Sequence, residues 1–152
     1  MAKGETFDQD KSFFYGWFMD PALLKDKGLS PSDPVVAKLP NYKFILGQRA
    51  SMISCNGQET WGTLIELEQQ ELDQLYSEPS VKDYVAIDVT CEDKLGRKIS
   101  AKTYILPGDY KIYPPESTDY ARTLYDICEK LKLPKKYMTT LTSLIYQIDS
   151  SK

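Results

Sequence analysis

The chain has 152 residues, enough for one domain with a real core, and 41% of them are hydrophobic, which excludes disorder as its overall state. Its 22 acidic and 19 basic residues are mixed along the chain and leave a net charge of −3, so no basic stripe supplies the phosphate contacts of a nucleic-acid binder. Histidine is absent, which excludes Ser-His-Asp, Cys-His and zincin chemistry and leaves carboxylate, tyrosine, lysine or cysteine to move a proton.

Residues 1–11 are polar and read as a loose tail, with residues 12–149 as one domain. Charges interrupt any apolar run near the start, so no secretory signal is read there. No later stretch approaches the roughly eighteen apolar residues of a membrane span. A soluble cytoplasmic protein with no membrane partner is the expectation. The three cysteines, Cys55, Cys91 and Cys128, are odd in number and far apart. They are expected to be unpaired, and no metal or cofactor site is read from them.

The aromatic run at residues 12–16 reads as a buried strand closed by Gly16. Asp20 at a cap and Pro21 at the first helical position start a helix that ends by Gly28. A strand, a glycine turn and a helix start thus lie close together, which aims backbone N–H groups around residues 16–19 at an anionic ligand. Strands follow at residues 42–46 and 51–55, then 60–67, with Asn56-Gly57 between the last two as a hairpin signal. Gly62 within the latter strand implies a bulge or a close backbone approach.

Residues 68–76 carry Leu72 and Leu75 at helical spacing, and Pro79 breaks that helix. Val85, Ile87, Val89 and Cys91 alternate with less apolar residues, as in a strand with one buried face. A turn at residues 93–96 leads to a partner strand through Ala101, Thr103 and Ile105. Tyr120, Leu124, Ile127 and Leu131, then Tyr137, Leu141, Leu144 and Ile148, mark two longer helices. The sum is about six strands, mostly in hairpins, with two short and two longer helices. That is an α/β protein of the α+β type, with a mixed or mainly antiparallel sheet curled into a small barrel.

Four stretches carry a family resemblance. The run from Phe14-Tyr15-Gly16-Trp17-Phe18 to Leu24, Thr60-Trp61-Gly62-Thr63-Leu64, the segment from Leu72 to Val85, and Leu133-Pro134-Lys135-Lys136-Tyr137 resemble, in order, motifs of the gamma-glutamylcyclotransferase-like (AIG2-like) superfamily. The resemblance implies a small mixed β-barrel flanked by helices. It also implies cyclisation of a γ-glutamyl amino acid or amine to 5-oxoproline, with no cofactor. The substrate's own α-amine attacks the γ-carbonyl, so the protein has to fold the substrate back, take a proton and stabilise the oxyanion. Carried onto this chain, the general acid/base is Glu78. Tyr15, Gly16, Trp17, Phe18 and Tyr84 bind the small-molecule substrate, with Tyr104 and Tyr113 as further candidates for the cleft. A homodimer is the assembly the family suggests.

Two positions depart from the family pattern. Trp17 stands where a small Ser or Thr is usual. Matched without gaps from Leu72, the glutamate position falls on Pro79, and a one-residue slip restores Glu78. Asp83 and Asp73 are the next carboxylates. Two readings therefore stand: a cyclotransferase, or a non-catalytic or divergent member that binds a small ligand or partner through the same cleft. An open cleft with a carboxylate in reach favours the first, and a Trp17 ring filling it, with Glu78 pointing to solvent, favours the second.

Overall fold

A computed structural model describes residues 11–108, 114–115 and 117–150. Five strands form a closed barrel in the order β1-β3-β2-β4-β5, with β1 at Lys11–Phe14, β2 at Val35–Leu46, β3 at Ala50–Glu66, β4 at Val85–Asp93 and β5 at Lys98–Ile105. The pairings are antiparallel except at the closure, where β1 runs parallel to β5 with Ser12 opposite Lys102. Helix α1 is Pro21–Asp26, α2 is Gln69–Leu75, α3 is Asp119–Lys130 and α4 is Lys135–Ser150. This is the mixed barrel with flanking helices that the family motifs imply. β1 begins at Lys11, so that residue belongs to the barrel and not to a tail.

Alternation fills the barrel. Phe13 and Ile65, Ala37 and Leu39, Cys91 and Ala101 are buried, as are Leu124, Cys128 and Leu141 on the two long helices. A fully buried leucine or phenylalanine contributes about 1.5–3 kcal/mol relative to exposure. The buried Thr103 hydroxyl donates to the Phe13 carbonyl at 2.8 Å, so a polar group at the barrel closure has a partner. Burial along β4 is uneven: Cys91 is buried, whereas Val85 is 43% exposed, so the expected buried face exists only at the Cys91 end.

The strand count and one turn differ from the sequence reading. Asn56-Gly57 closes no hairpin, because β3 runs through it as one strand of 17 residues. The β2–β3 register shifts between Pro40 and Tyr42, and the extra β3 residues bulge out opposite Asn41. Asn41 and Gly57 take φ values of 65° and 84°, and the Gly57 N–H donates to the Asn41 Oδ1 at 3.1 Å. The left-handed backbone that makes Asn-Gly a turn signal serves equally well in a bulge. The hairpin turn lies instead at residues 47–49, where the Gly47 N–H donates to the Arg49 carbonyl at 3.0 Å. β2 also starts earlier than anticipated, at Val35, despite Pro40. Pro40 lies beyond Lys38, the last β2 residue paired with β4, where a missing donor disturbs the sheet least.

Gly62 is a close approach. A Cβ there would lie 2.1 Å from the Phe14 carbonyl oxygen, so β1 seats on β3 only because the side chain is missing. This contact places the end of β1, and the loop that follows it, against the barrel mouth.

Candidate functional site

Beyond Phe14 the chain leaves the barrel through Tyr15 and Gly16 and makes one turn of 3-10 helix at Trp17–Met19. The Thr63 hydroxyl donates to the Met19 carbonyl at 3.0 Å and pins this turn to β3. Helix α1 follows with Pro21 at its start, and Asp20 Oδ1 accepts from the Ala22 N–H at 3.0 Å. Asp20 Oδ2 also accepts from Lys130 Nζ at 2.8 Å, joining the start of α1 to the end of α3. The N-terminus of α1 is thus capped by its own aspartate. Residues 16–18 line the cleft, whereas Pro21 and Ala22 at the helix start do not.

That cleft is a cavity of about 720 Å³, within the ordinary range for small-molecule sites. Every residue assigned to the site from sequence lines it: Tyr15, Gly16, Trp17, Phe18, Glu78 and Tyr84. So does Tyr104, whereas Tyr113 lies outside the described residues. The walls are largely aromatic. Tyr76 stacks on Tyr104 at 3.8 Å between centroids, and Phe18 meets Tyr76 edge-on at 6.4 Å. Trp17 lies flat on Tyr120 at 4.8 Å and is 37% exposed, so its ring forms a wall and leaves the cavity open.

Two of the phenols donate to backbone carbonyls. Tyr15 OH donates to the Tyr104 carbonyl at 2.6 Å, and Tyr84 OH donates to the Ala50 carbonyl. Burial pushes the Tyr15 and Tyr76 hydroxyls well above the usual phenol range, and neighbouring tyrosines add to the rise. Burial raises Tyr120 as well, partly offset by a hydrogen bond from the Trp17 backbone N–H. The Tyr120 oxygen is close enough to Gly16 that a Cβ there would lie 2.6 Å from it.

The charged groups stand at the cavity mouth. Glu78 follows α2, and both its oxygens accept from Lys27 Nζ, at 2.8 and 3.0 Å. The two side chains are about equally exposed, 34% for Lys27 and 35% for Glu78. Glu78 is thus a part-exposed carboxylate matched by an ammonium. Arg49, from the β2–β3 turn, bonds Asp83 at 3.0 Å and the Ser80 carbonyl at 2.8 Å, with its guanidinium 5.0 Å from the Tyr84 ring centre. Asp83 is therefore engaged in holding the loop. Among the described residues, Glu78 and Asp26 are the carboxylates that line the cavity, and Asp73 and Asp83 do not.

Sequence reasoning missed Lys27, Arg49, Tyr76 and Tyr120. Lys27 and Glu78 are 51 residues apart, and no local pattern pairs them. Tyr120 was legible as a helical core position, but its facing Gly16 was not. Among the described residues no group of three or more Cys, Asp or Glu gathers as a metal site, and no helix is long and apolar enough to cross a membrane.

No family model matches the chain. It is 28% identical over 123 residues to a gamma-glutamylcyclotransferase of Bos taurus, a match covering 72% of this chain and 64% of that protein, so less than two-thirds of the bovine protein is spanned. It is 24% identical over 156 aligned positions to a gamma-glutamylcyclotransferase of Mus musculus, covering 93% of this chain and 80% of that protein. A solved structure of a gamma-glutamyl cyclotransferase superposes with a TM-score of 0.75 at 24% identity, over 87% of this chain and 85% of that one. The barrel is the gamma-glutamylcyclotransferase-like fold. In sequence the chain is similar to these gamma-glutamylcyclotransferases, and in fold also to an AIG2-like protein of Mus musculus, at a TM-score of 0.51 and 15% identity over 67% of this chain and 79% of that one.

Proposed function

We propose that the chain is a gamma-glutamylcyclotransferase-like enzyme that converts a γ-glutamyl amino acid or amine to 5-oxoproline. The observation that carries this reading is the convergence of separate motif residues on one open cavity. The 14–18 stretch and, from the separate 72–85 stretch, Glu78 and Tyr84 all line it. In the reaction the substrate α-nitrogen forms a bond to the γ-carbonyl carbon, and the bond from that carbon to the leaving nitrogen breaks. Glu78 takes the proton from the attacking amine and returns it to the leaving nitrogen. The cavity wall at residues 15–18 holds the glutamyl moiety folded for attack, a contribution of positioning. The aromatic walls exclude water and strengthen hydrogen bonds to the developing oxyanion.

A second reading has a specific observation in its favour. Lys27 occupies both oxygens of Glu78, which suits a protein that binds a small ligand or partner in the cavity without turning it over. One experiment separates the two. The purified protein is incubated with γ-glutamyl amino acids, γ-glutamyl amines and glutathione, and 5-oxoproline is measured. Product from any of them, lost by about two to four orders of magnitude in Glu78→Gln, is the outcome expected of the enzyme. Ligand binding without product, unchanged in Glu78→Gln, is that expected of the binder.

A further inference from the structure

We infer that Lys27 is the counter-ion of the substrate's α-carboxylate, and that in the unliganded protein it is parked on Glu78. The inference rests on the reading of Glu78 as the group that meets the substrate amine. Lys27 and Glu78 both line the cavity, and the ammonium reaches both carboxylate oxygens at 2.8 and 3.0 Å. An α-amino acid headgroup brings one ammonium and one carboxylate. It can exchange with this pair without changing the charge of the site: its ammonium takes the place of Lys27 on Glu78, and its carboxylate takes the place of Glu78 on Lys27. Each charge has a partner both before and after the exchange, at a pair whose side chains are about one-third exposed.

Among the described residues, the other cation that lines the cavity is Arg49. Arg49 holds Asp83 and the Ser80 carbonyl, so it serves the loop that carries Tyr84. Lys27 stands just after α1, where its backbone N–H bonds the Leu24 carbonyl at 3.1 Å, and Gly28 follows at φ 85° to end the helix. Its Nζ lies over the Phe18 ring, 5.8 Å from the ring centre. The backbone is fixed while the four-carbon stem and its ammonium can swing, a property of lysine more than of arginine. Glu78 would be freed for proton transfer only by a ligand with an ammonium to replace Lys27. The same pair therefore selects for α-amino acid headgroups and keeps the base engaged until one arrives.

The test is a binding measurement with two probes, L-glutamine and 4-aminobutanamide, the latter being glutamine without its α-carboxylate. Calorimetry or NMR titration compares wild type, Lys27→Met and Lys27→Arg. Loss of one charge-assisted contact weakens binding by about tenfold or more. Lys27→Met is expected to weaken L-glutamine by that factor and not to weaken 4-aminobutanamide, with Lys27→Arg recovering most of the loss. Unweakened 4-aminobutanamide also shows that the variant is folded. Lys27→Met binding L-glutamine as well as wild type would overturn the inference, since Lys27 would then be only a lock on Glu78. Equal weakening of both probes would overturn it in favour of a structural role, and so would failure of L-glutamine to bind the wild type. Formation of 5-oxoproline, measured in the same samples, reports separately on the cyclisation reading.

Discussion

The Trp17 indole lies flat on the Tyr120 ring at 4.8 Å and 11° between planes, and its Nε1–H donates to the Tyr120 carbonyl at 3.2 Å. This contact ties the turn after β1 to helix α3 across 103 residues. It explains how a bulky side chain occupies a position where the family has a small one: the ring lies flat on α3 as part of the cavity wall and leaves the cavity open.

Trp17→Ser restores the small residue and removes the stack. An aromatic pair contributes about 0.5–1.5 kcal/mol beyond its area burial, so urea unfolding should show a loss of about 1 kcal/mol or more. Trp17→Phe keeps a ring on Tyr120 and loses only the hydrogen bond, so its loss should be smaller. A Trp17→Ser variant as stable as wild type would mean that the stack does not hold the turn.

The two closely approached glycines, Gly62 and Gly16, should behave differently. Gly62→Ala forces a Cβ to 2.1 Å from the Phe14 carbonyl oxygen, and a backbone atom of a barrel strand cannot step aside. Its cost should exceed the 1–3 kcal/mol or so of ordinary overpacking, seen as a large drop in Tm or loss of soluble protein. Gly16→Ala meets the Tyr120 hydroxyl at 2.6 Å instead. Tyr120→Phe deletes that hydroxyl. The double variant should therefore be more stable than the sum of the two single changes allows. Simple additivity would show that the two groups do not meet.

Cys91 and Cys128 are buried and free, and burial pushes both thiols up to about 12. Their thiolate fraction at pH 8 is negligible, so neither should react readily with a disulfide reagent in the native state. Cys55 is partly exposed on β3. One thiol should react quickly in native protein and all three after denaturation. A second fast native thiol would show that the barrel interior opens to solvent.

Asp93 organises the β4–β5 turn. Its Oδ1 accepts from the Leu95 and Arg97 N–H groups, both at 2.9 Å, and its Oδ2 from Arg97 Nε at 2.7 Å. Burial acts to raise its carboxyl, but these donors outweigh it and hold the group below the ordinary aspartate value. A carboxyl depressed in the folded state stabilises above its unfolded value of about 3.9, and the stabilisation is lost as pH falls through the folded value. Asp93→Asn should therefore lower the urea midpoint at pH 7, with a gap from wild type that narrows below about pH 4. A gap of the same size at pH 7 and at about pH 2.5 would show that the charge plays no part.

The sequence by itself determined the elements whose signals are local. Asp20-Pro21 starts α1, and the spacing of Leu124 and Ile127 or Tyr137 and Leu141 yields the two long helices, because caps and apolar periodicity act within a turn or two. Gly62 announced a bulge or a close approach for the same reason: a missing Cβ is visible in the sequence. What that glycine approaches, the Phe14 carbonyl, belongs to another strand. Asn56-Gly57 shows the limit of local signals. The residues supply left-handed backbone, but whether it is used for a hairpin or for a bulge depends on the register of β2, which the whole barrel fixes. The site divides in the same way. Motif residues 15–18, Glu78 and Tyr84 could be named in advance, while the ammonium on Glu78 and the ring beneath Trp17 come from residues 51 and 103 positions away in the chain. Charge pairing and stacking across such distances are set by closure of the barrel and docking of α3, and only the tertiary structure decides them.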